Sequence, residues 1–200
     1  MHSKHVLQVW KSGLDGMLIC LYFLACTQMC RWCIFWDAPE PGEVCLNRLS
    51  RCELEVLSAA HISSILDLPS AVHTMPQYAT VKETCAAWLL HTYSNVPKII
   101  AEDELLAGFC SHLNFAAVAL WADQDKLKVR SENEIAVLLT FWYDAQSSVS
   151  ESEMQQLSGK MRVSQMSKSF WCFILPKLKW FSDPDPPLAS FNMAYEDGGA

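Results

Sequence analysis

The chain has 200 residues, of which 51% are hydrophobic and 18% are charged, and its formal net charge is −7. This hydrophobic content is sufficient for a core in one domain or in two small ones. The 15 basic residues are scattered along the chain, which argues against nucleic acid as a partner, because phosphate backbones bind clustered Lys and Arg. Seven Gly and eight Trp favour helices packed by large side chains over a loop-rich sandwich.

The first strong signal along the chain is an apolar segment at residues 17–36, in which Arg31 is the charged residue. Only residues 16–30 separate Asp15 from Arg31, fewer than the roughly 20 that a membrane-spanning helix needs. We therefore expect an apolar N-terminal helix pair that is buried in the protein. A membrane-anchored helical protein, held by residues 17–36, is the alternative.

Three cysteines in this segment, Cys26, Cys30 and Cys33, follow the pattern C-x3-C-x2-C. The pattern resembles the cluster-binding motif of radical S-adenosylmethionine enzymes, in which three thiolates hold a [4Fe–4S] cluster. On a helix the same residues share one face, and no alternation of strands and helices follows them. We predict a buried helix face. A Cys-rich metal or iron–sulfur protein that uses these three ligands is a second alternative.

Cysteine usage also bears on the compartment. The nine cysteines are odd in number, irregularly spaced and mostly next to apolar residues. A secreted disulfide scaffold is usually shorter and pairs its cysteines evenly. We expect reduced, buried thiols in an intracellular protein, either cytoplasmic or nuclear.

Helical signals continue through the rest of the chain. Residues 37–42 contain two prolines and a glycine and predict a break before short helices at residues 43–51 and 53–67. The next helix has Pro76 near its start and Trp88 on its apolar face. Further helices are predicted at residues 101–110 and 115–122, the second with Asn114 as its cap.

Two Ser-x-x-Glu patterns predict helix starts, because each serine can accept from an amide while the glutamate reaches back. They are Ser131 with Glu134 and Ser150 with Glu153. A last helix is predicted from Ser167 to Leu175, before Pro176. The acidic, proline-rich residues 183–200 predict a disordered tail. Core anchors, each burying roughly 150–250 Å², are predicted at four tryptophans: Trp88, Trp121, Trp142 and Trp171.

These signals predict an all-α fold, an array of helical hairpins. The chain has no GxSxG, no phosphate-binding loop and no dinucleotide fingerprint, and its six histidines lack the spacing of a metalloprotease. We therefore expect a non-catalytic protein without a cofactor.

Three stretches together resemble the BACK domain that follows BTB/POZ domains. The first covers residues 64–70, 75–77 and 87–90, the second residues 129–142, which open with Ser-Glu-Asn and end at a tryptophan, and the third residues 161–166. The stretches occur in the order and at the spacing of the family, and the resemblance covers residues 61–182. The resemblance implies a BACK-like helical domain at 61–182, ahead of the tail.

Residues 1–60 resemble the end of a BTB domain more thinly. Residues 18–22 are similar to a late BTB helix, and residues 35–39 and 44–46 to the stretch that closes the domain. The expected organisation is therefore a divergent or truncated BTB end at 1–60, either a fragment or an incomplete gene model, followed by the BACK-like domain.

The resemblance implies a function in protein–protein interaction. BTB–BACK proteins commonly hold a cullin scaffold and present a ubiquitylation substrate through a later domain. The front of the BTB domain and a substrate-binding repeat are not found in this sequence. We therefore expect an interaction module of a ubiquitin-ligase adaptor, with cullin contact not assigned to particular residues.

Overall fold

The computed structural model describes residues 21–181, and the structural statements below concern that part of the chain. Its residues form an all-α fold without a β-strand, as predicted; Asn95 and Lys128 make an isolated parallel bridge. The predicted disordered tail at 183–200 and the first four residues of the apolar segment 17–36 lie outside the described residues. The α-helices, in chain order, are α1 Leu21–Phe35, α2 Pro39–Leu49, α3 Ala59–Leu66, α4 Ser70–His73, α5 Pro76–Tyr93, α6 Val96–Ala101, α7 Asp103–His112, α8 Phe115–Ala122, α9 Asn133–Ala145, α10 Glu151–Ser158 and α11 Lys168–Phe173.

The predicted break at residues 37–42 is shorter in the structure. Helix α1 ends at Phe35, and Asp37 adopts a left-handed φ of 50°, a conformation that Asp tolerates better than most residues. Helix α2 begins at Pro39, four residues before the predicted start at residue 43. Both prolines lie in its first turn, where the missing amide has no partner in the helix to lose.

The chain divides into two compact units. The first comprises residues up to Thr92 together with His112–Ala117. Its core includes Leu46, Leu49 and Ile62, each at most 1% exposed. The returning segment is held by Ser63, whose hydroxyl donates to the His112 carbonyl at 2.7 Å. Residues 21–60 therefore belong to the same unit as residues 61–92, whereas the resemblance divides the chain at residue 60.

The second unit comprises Tyr93–Ser111 and the residues from Val118 onward. Trp121 is fully buried, packs edge-on against Phe109 with ring centroids 4.9 Å apart, and donates its indole N–H to the Tyr93 carbonyl at 2.9 Å. Trp142 is 1% exposed. Large aromatic side chains with satisfied polar atoms therefore form the centre of this core.

One of the four predicted tryptophan anchors is wrong. Trp88, Trp121 and Trp142 are buried, whereas Trp171 on α11 is only partly buried. The fully buried tryptophan near the C-terminal end is Trp180, whose indole N–H donates to the Thr140 hydroxyl at 2.9 Å. Trp180 lies after the 3-10 turn Leu175–Lys177, so no helical periodicity marks it in the sequence.

The two predicted capping boxes also differ in outcome. At α10 the box is present: the Ser150 hydroxyl accepts from the Glu153 amide, and Glu153 accepts from the Ser150 amide at 2.8 Å. At α9 the predicted box of Ser131 and Glu134 is wrong. This helix begins at Asn133, and Glu134 instead accepts from the Arg130 amide at 2.8 Å while donating its own amide to the Ser131 carbonyl.

None of the helices within residues 21–181 is by itself long and apolar enough to cross a membrane. The bent pair of α7 and α8 has sufficient length and apolar composition only when the two helices are taken together.

Candidate interaction surface

Helix α1 has two apolar faces, and the structure buries one of them. Its inner face consists of residues at spacings of three and four, all at most 5% exposed: Phe23, Cys26, Thr27, Cys30 and Cys33. Such spacing keeps side chains on one side of a helix with 3.6 residues per turn. The three cysteines therefore contribute to a packed helix face.

Helix α2 covers this inner face as the second member of an antiparallel hairpin. As residue numbers rise along α1, the contacted residue numbers fall along α2: Tyr22 meets Arg48, Cys26 meets Cys45, and Cys30 donates to the Gly42 carbonyl at 3.9 Å. A Cβ at the buried Gly42 would lie 3.4 Å from Cys33 Cβ and from Met75 Cε. A methyl group at this position would therefore just fit in van der Waals contact with its neighbours.

Helix α3 contacts α1 at two points. Near its start, the His61 ring stacks on Phe23 with ring centroids 4.6 Å apart. At its end, Arg31 donates to the Asp67 carboxylate at 2.9 Å. Both contacts occur in the same order along the two helices, so α1 and α3 run in the same direction. A cavity of about 220 Å³ lies between them, with Leu24 and Ser64 in its lining.

The outer face of α1 is exposed and largely apolar. Leu21 is 52% exposed, Leu24 60%, Trp32 52% and Phe35 77%, and Trp36 after the helix is 72% exposed. Monomeric proteins rarely leave large contiguous apolar patches in water unless these bind something. The expectation that the segment would be buried on most sides is therefore wrong for this face, because only one side of α1 is covered.

Charged residues lie at both ends of the hairpin. Near Trp36, the exposed Asp37 and Glu40 and the partly exposed Glu43 form no ion pair within residues 21–181. At the other end of α1, Arg48 lies beside Tyr22, and Arg51 follows it closely in the chain. This end is mixed in charge, because the exposed Glu53 and Glu55 follow Arg51.

The candidate metal ligands Cys26, Cys30 and Cys33 lack the arrangement of a metal site. No group of three or more His, Cys, Asp or Glu side chains in the described part of the chain is placed to hold a metal ion. Burial, followed by the neighbouring thiol of Cys45, raises the pKa of Cys30 to about 12, and burial raises the pKa of Cys45 to about 11. Metals bind the thiolate, so the burial of Cys30 opposes ligation by this residue.

A buried ion pair joins two segments of the second unit. Glu132 is 2% exposed; its Oε1 accepts from the Arg162 amide at 3.2 Å, and its Oε2 lies 3.9 Å from the Arg162 guanidinium. Arg162 also bonds Asp125 at 2.9 Å. Burial raises the pKa of Glu132, while the amide and charge of Arg162 act in the opposite direction.

A second contact joins the same two segments beside this pair. The Asn133 side chain donates to the Ser167 hydroxyl at 2.9 Å and accepts from the Ser167 amide at 3.1 Å. The Ser-Glu-Asn stretch at the start of α9 is therefore fixed to residues 162–167 by polar contacts. In the sequence these residues resemble caps and turns, and nothing near Glu132 indicates that its partner is Arg162.

Comparisons with known proteins return no relative. The sequence matches no protein-family model, and neither a curated protein nor a solved structure matches it significantly.

Proposed function

We propose that the chain is a non-catalytic protein–protein interaction module whose binding surface is the outer face of α1. The observation that carries the proposal is the exposure of Trp32 and Phe35 on one side of a helix whose other side is packed, with the exposed Trp36 directly after the helix. Interface cores are enriched in aromatic side chains, which supply much of the binding energy.

We further propose that the module is the BACK-like part of a cullin ubiquitin-ligase adaptor. The support is the sequence resemblance together with the contacts of Glu132 and Asn133. Two of the three stretches that carry the resemblance, residues 129–142 and 161–166, are held to each other through Glu132 and Arg162. Their joint occurrence thus has a physical reason, because each stretch supplies a group that the other needs.

The adaptor proposal is tested by immunoprecipitation of the full chain from cells, followed by mass spectrometry. We expect recovery of a cullin, and direct binding of that cullin by the purified chain. Phe173→Ser, which removes an exposed aromatic residue of the second unit, is the control for Trp32→Ser, which removes one from the outer face of α1. Recovery of no cullin and of no stoichiometric partner would contradict the adaptor proposal.

A further inference from the structure

The cavity between α1 and α3 combines apolar walls with neutral polar groups. Its volume is about 220 Å³, and it is lined by Phe23, Leu24, Thr27, Ala60, His61 and Ser64. None of these lining residues carries a carboxylate, an ammonium or a guanidinium group. A charged ligand would therefore lose part of its hydration here without gaining an ion pair. The lining thus favours a neutral molecule.

The size of the cavity suits one small ring. An apolar cavity of about 150 Å³ holds benzene, whereas pockets for drug-sized ligands begin at about 300 Å³. The volume here, about 220 Å³, leaves room for a six-membered ring with small substituents. Leu24 in the lining is 60% exposed, whereas Phe23 and Thr27 are at most 5% exposed. A ligand can therefore enter on the side of Leu24.

Three polar groups in the lining have hydrogen-bonding capacity that the protein leaves unused. His61 Nδ1 accepts from the Ser58 amide at 3.3 Å, so the neutral ring carries its proton at Nε2. This N–H has no acceptor among residues 21–181. Thr27 donates its hydroxyl proton to two carbonyls of α1, at 3.0 and 3.1 Å, and its oxygen can still accept. The Ser64 hydroxyl has no hydrogen-bond partner in the described part of the chain.

A hydroxyl group on an aromatic ring matches this set of groups. It both accepts and donates, whereas a carboxylate only accepts and an ammonium group only donates. The ring itself packs against the apolar part of the lining. We propose that the cavity binds a neutral phenol ring, whose hydroxyl group accepts from His61 and donates to Thr27 or Ser64. This inference goes beyond the proposed function, because it assigns a ligand to a site that cullin binding does not require.

The site is tested by fluorine NMR of 4-fluorophenol titrated with the purified full chain. Saturable binding is expected, with a dissociation constant of about 0.1–1 mM for so small a ligand. Fluorobenzene has the ring without the hydroxyl group and is expected to bind about tenfold more weakly, because it leaves the polar groups of the cavity unpaired. The anion 4-fluorobenzoate is expected not to bind. Absence of saturable 4-fluorophenol binding, or an equal affinity for either of the other two compounds, overturns the proposal.

Two matched exchanges locate the binding in this cavity. Ala60→Leu places a larger side chain in the lining and is expected to raise the dissociation constant of 4-fluorophenol about tenfold or more. Ala71→Leu makes the same exchange at an exposed position of α4 that does not line the cavity, and it is expected to leave binding unchanged. Equal affinities of the two variants, each with a native-like helical spectrum, would place the ligand elsewhere and overturn the inference.

A double variant tests the hydroxyl contacts without filling the cavity. Thr27→Val combined with Ser64→Ala keeps the size of the lining and removes both acceptors. It is expected to weaken the binding of 4-fluorophenol but not that of fluorobenzene, so the ratio of the two affinities decreases. A change in structure alone would weaken both compounds alike. A ratio that stays at the wild-type value therefore contradicts the assigned contacts.

The phenol ring can belong to a free small molecule or to a tyrosine side chain of a protein partner. Competition of N-acetyltyrosinamide with 4-fluorophenol supports the site and assigns it to tyrosine, whereas binding of 4-fluorophenol without such competition assigns it to a free phenol. Cullin binding by a chain that binds no phenol overturns this site alone. Phenol binding by a chain that recovers no cullin retains the site and counts against the adaptor proposal alone.

Discussion

His61 occupies a position in a capping box where Glu or Gln is usual. The Ser58 amide donates to His61 Nδ1 at 3.3 Å, and the His61 amide donates to the Ser58 hydroxyl at 3.3 Å. One face of the imidazole ring stacks on Phe23 of α1. Only a neutral ring can accept from Ser58 at Nδ1. The first turn of α3 and the packing of Phe23 therefore both depend on the protonation state of His61.

This dependence predicts how stability varies with pH. Burial lowers the pKa of His61 from its ordinary value of 6.5, so the unfolded chain binds the proton more readily than the folded one. The stabilisation is complete above pH 6.5 and decreases as pH falls from 6.5 toward the lower folded-state pKa. In addition, an imidazolium in the first turn of α3 opposes the helix dipole.

His61→Gln is expected to remove this part of the pH dependence, because glutamine still accepts from the Ser58 amide but does not titrate. Urea unfolding of the two proteins between mildly acidic and neutral pH measures the effect. The difference in unfolding free energy, wild type minus variant, should decrease as pH falls below 6.5. His91→Gln, at an exposed position of α5, should keep the wild-type dependence. A pH-independent difference for His61→Gln is the result that contradicts the assignment.

At the scale of elements, one sequence pattern gave two different helix starts. Ser150 extends its backbone at φ −73° and ψ 156°, as an N-cap does, so its side chain reaches the Glu153 amide. At α9 the preceding residue, Glu132, has helical φ and ψ angles and directs its carboxylate into the interior. With Glu132 buried against Arg162, the residue before the first helical residue, Asn133, is Glu132 rather than the predicted cap Ser131.

This difference predicts unequal effects of two serine-to-alanine exchanges. Ser150→Ala is expected to lower the unfolding free energy by about 1 kcal/mol, because the first turn of α10 loses its side-chain acceptor. Ser131→Ala serves as the matched exchange and should change it by less than about 0.5 kcal/mol, since its hydroxyl caps no helix. Denaturant unfolding of both variants provides the comparison. Equal losses of unfolding free energy would contradict a stabilising role for the Ser150 cap.

At the scale of the whole chain, periodicity predicted most of what is local. The stripes of α5 and α9 placed Trp88 and Trp142 in the core, and Asn114 accepts from the Ala117 amide at 3.0 Å as the cap of α8. These features follow from residues a few positions apart. The helical class of the described residues could be predicted for the same reason.

What the sequence could not predict depends on partners distant in the chain. Both faces of α1 are apolar, so its pattern does not indicate which one α2 and α3 cover. The ion pair of Glu132 and Arg162 joins residues 30 positions apart. Trp180 reaches the core through a 3-10 turn that has no amphipathic period. The exposed outer face of α1 could not be predicted from the sequence, because the inner face is equally apolar.

The core of the second unit predicts a ranking among its tryptophans. Trp142→Ala is expected to lower the unfolding free energy by about 3–5 kcal/mol, because it removes a large, fully packed side chain and leaves a cavity. Trp180→Ala should fall in the same range, since it also leaves the Thr140 hydroxyl without its donor. Trp171→Ala should cost only about 1 kcal/mol, because this side chain is partly exposed.

Thermal and urea unfolding of the three variants measure this ranking, with a native-like helical spectrum as the requirement for comparison. If Trp142→Ala is too unstable to fold, Trp142→Phe keeps much of the packing and should retain the fold with a smaller loss. A variant at Trp171 that is as destabilising as one at Trp180 would contradict the description of the core. The ranking tests the observed burial directly, because Trp142 and Trp180 are buried and Trp171 is only partly buried.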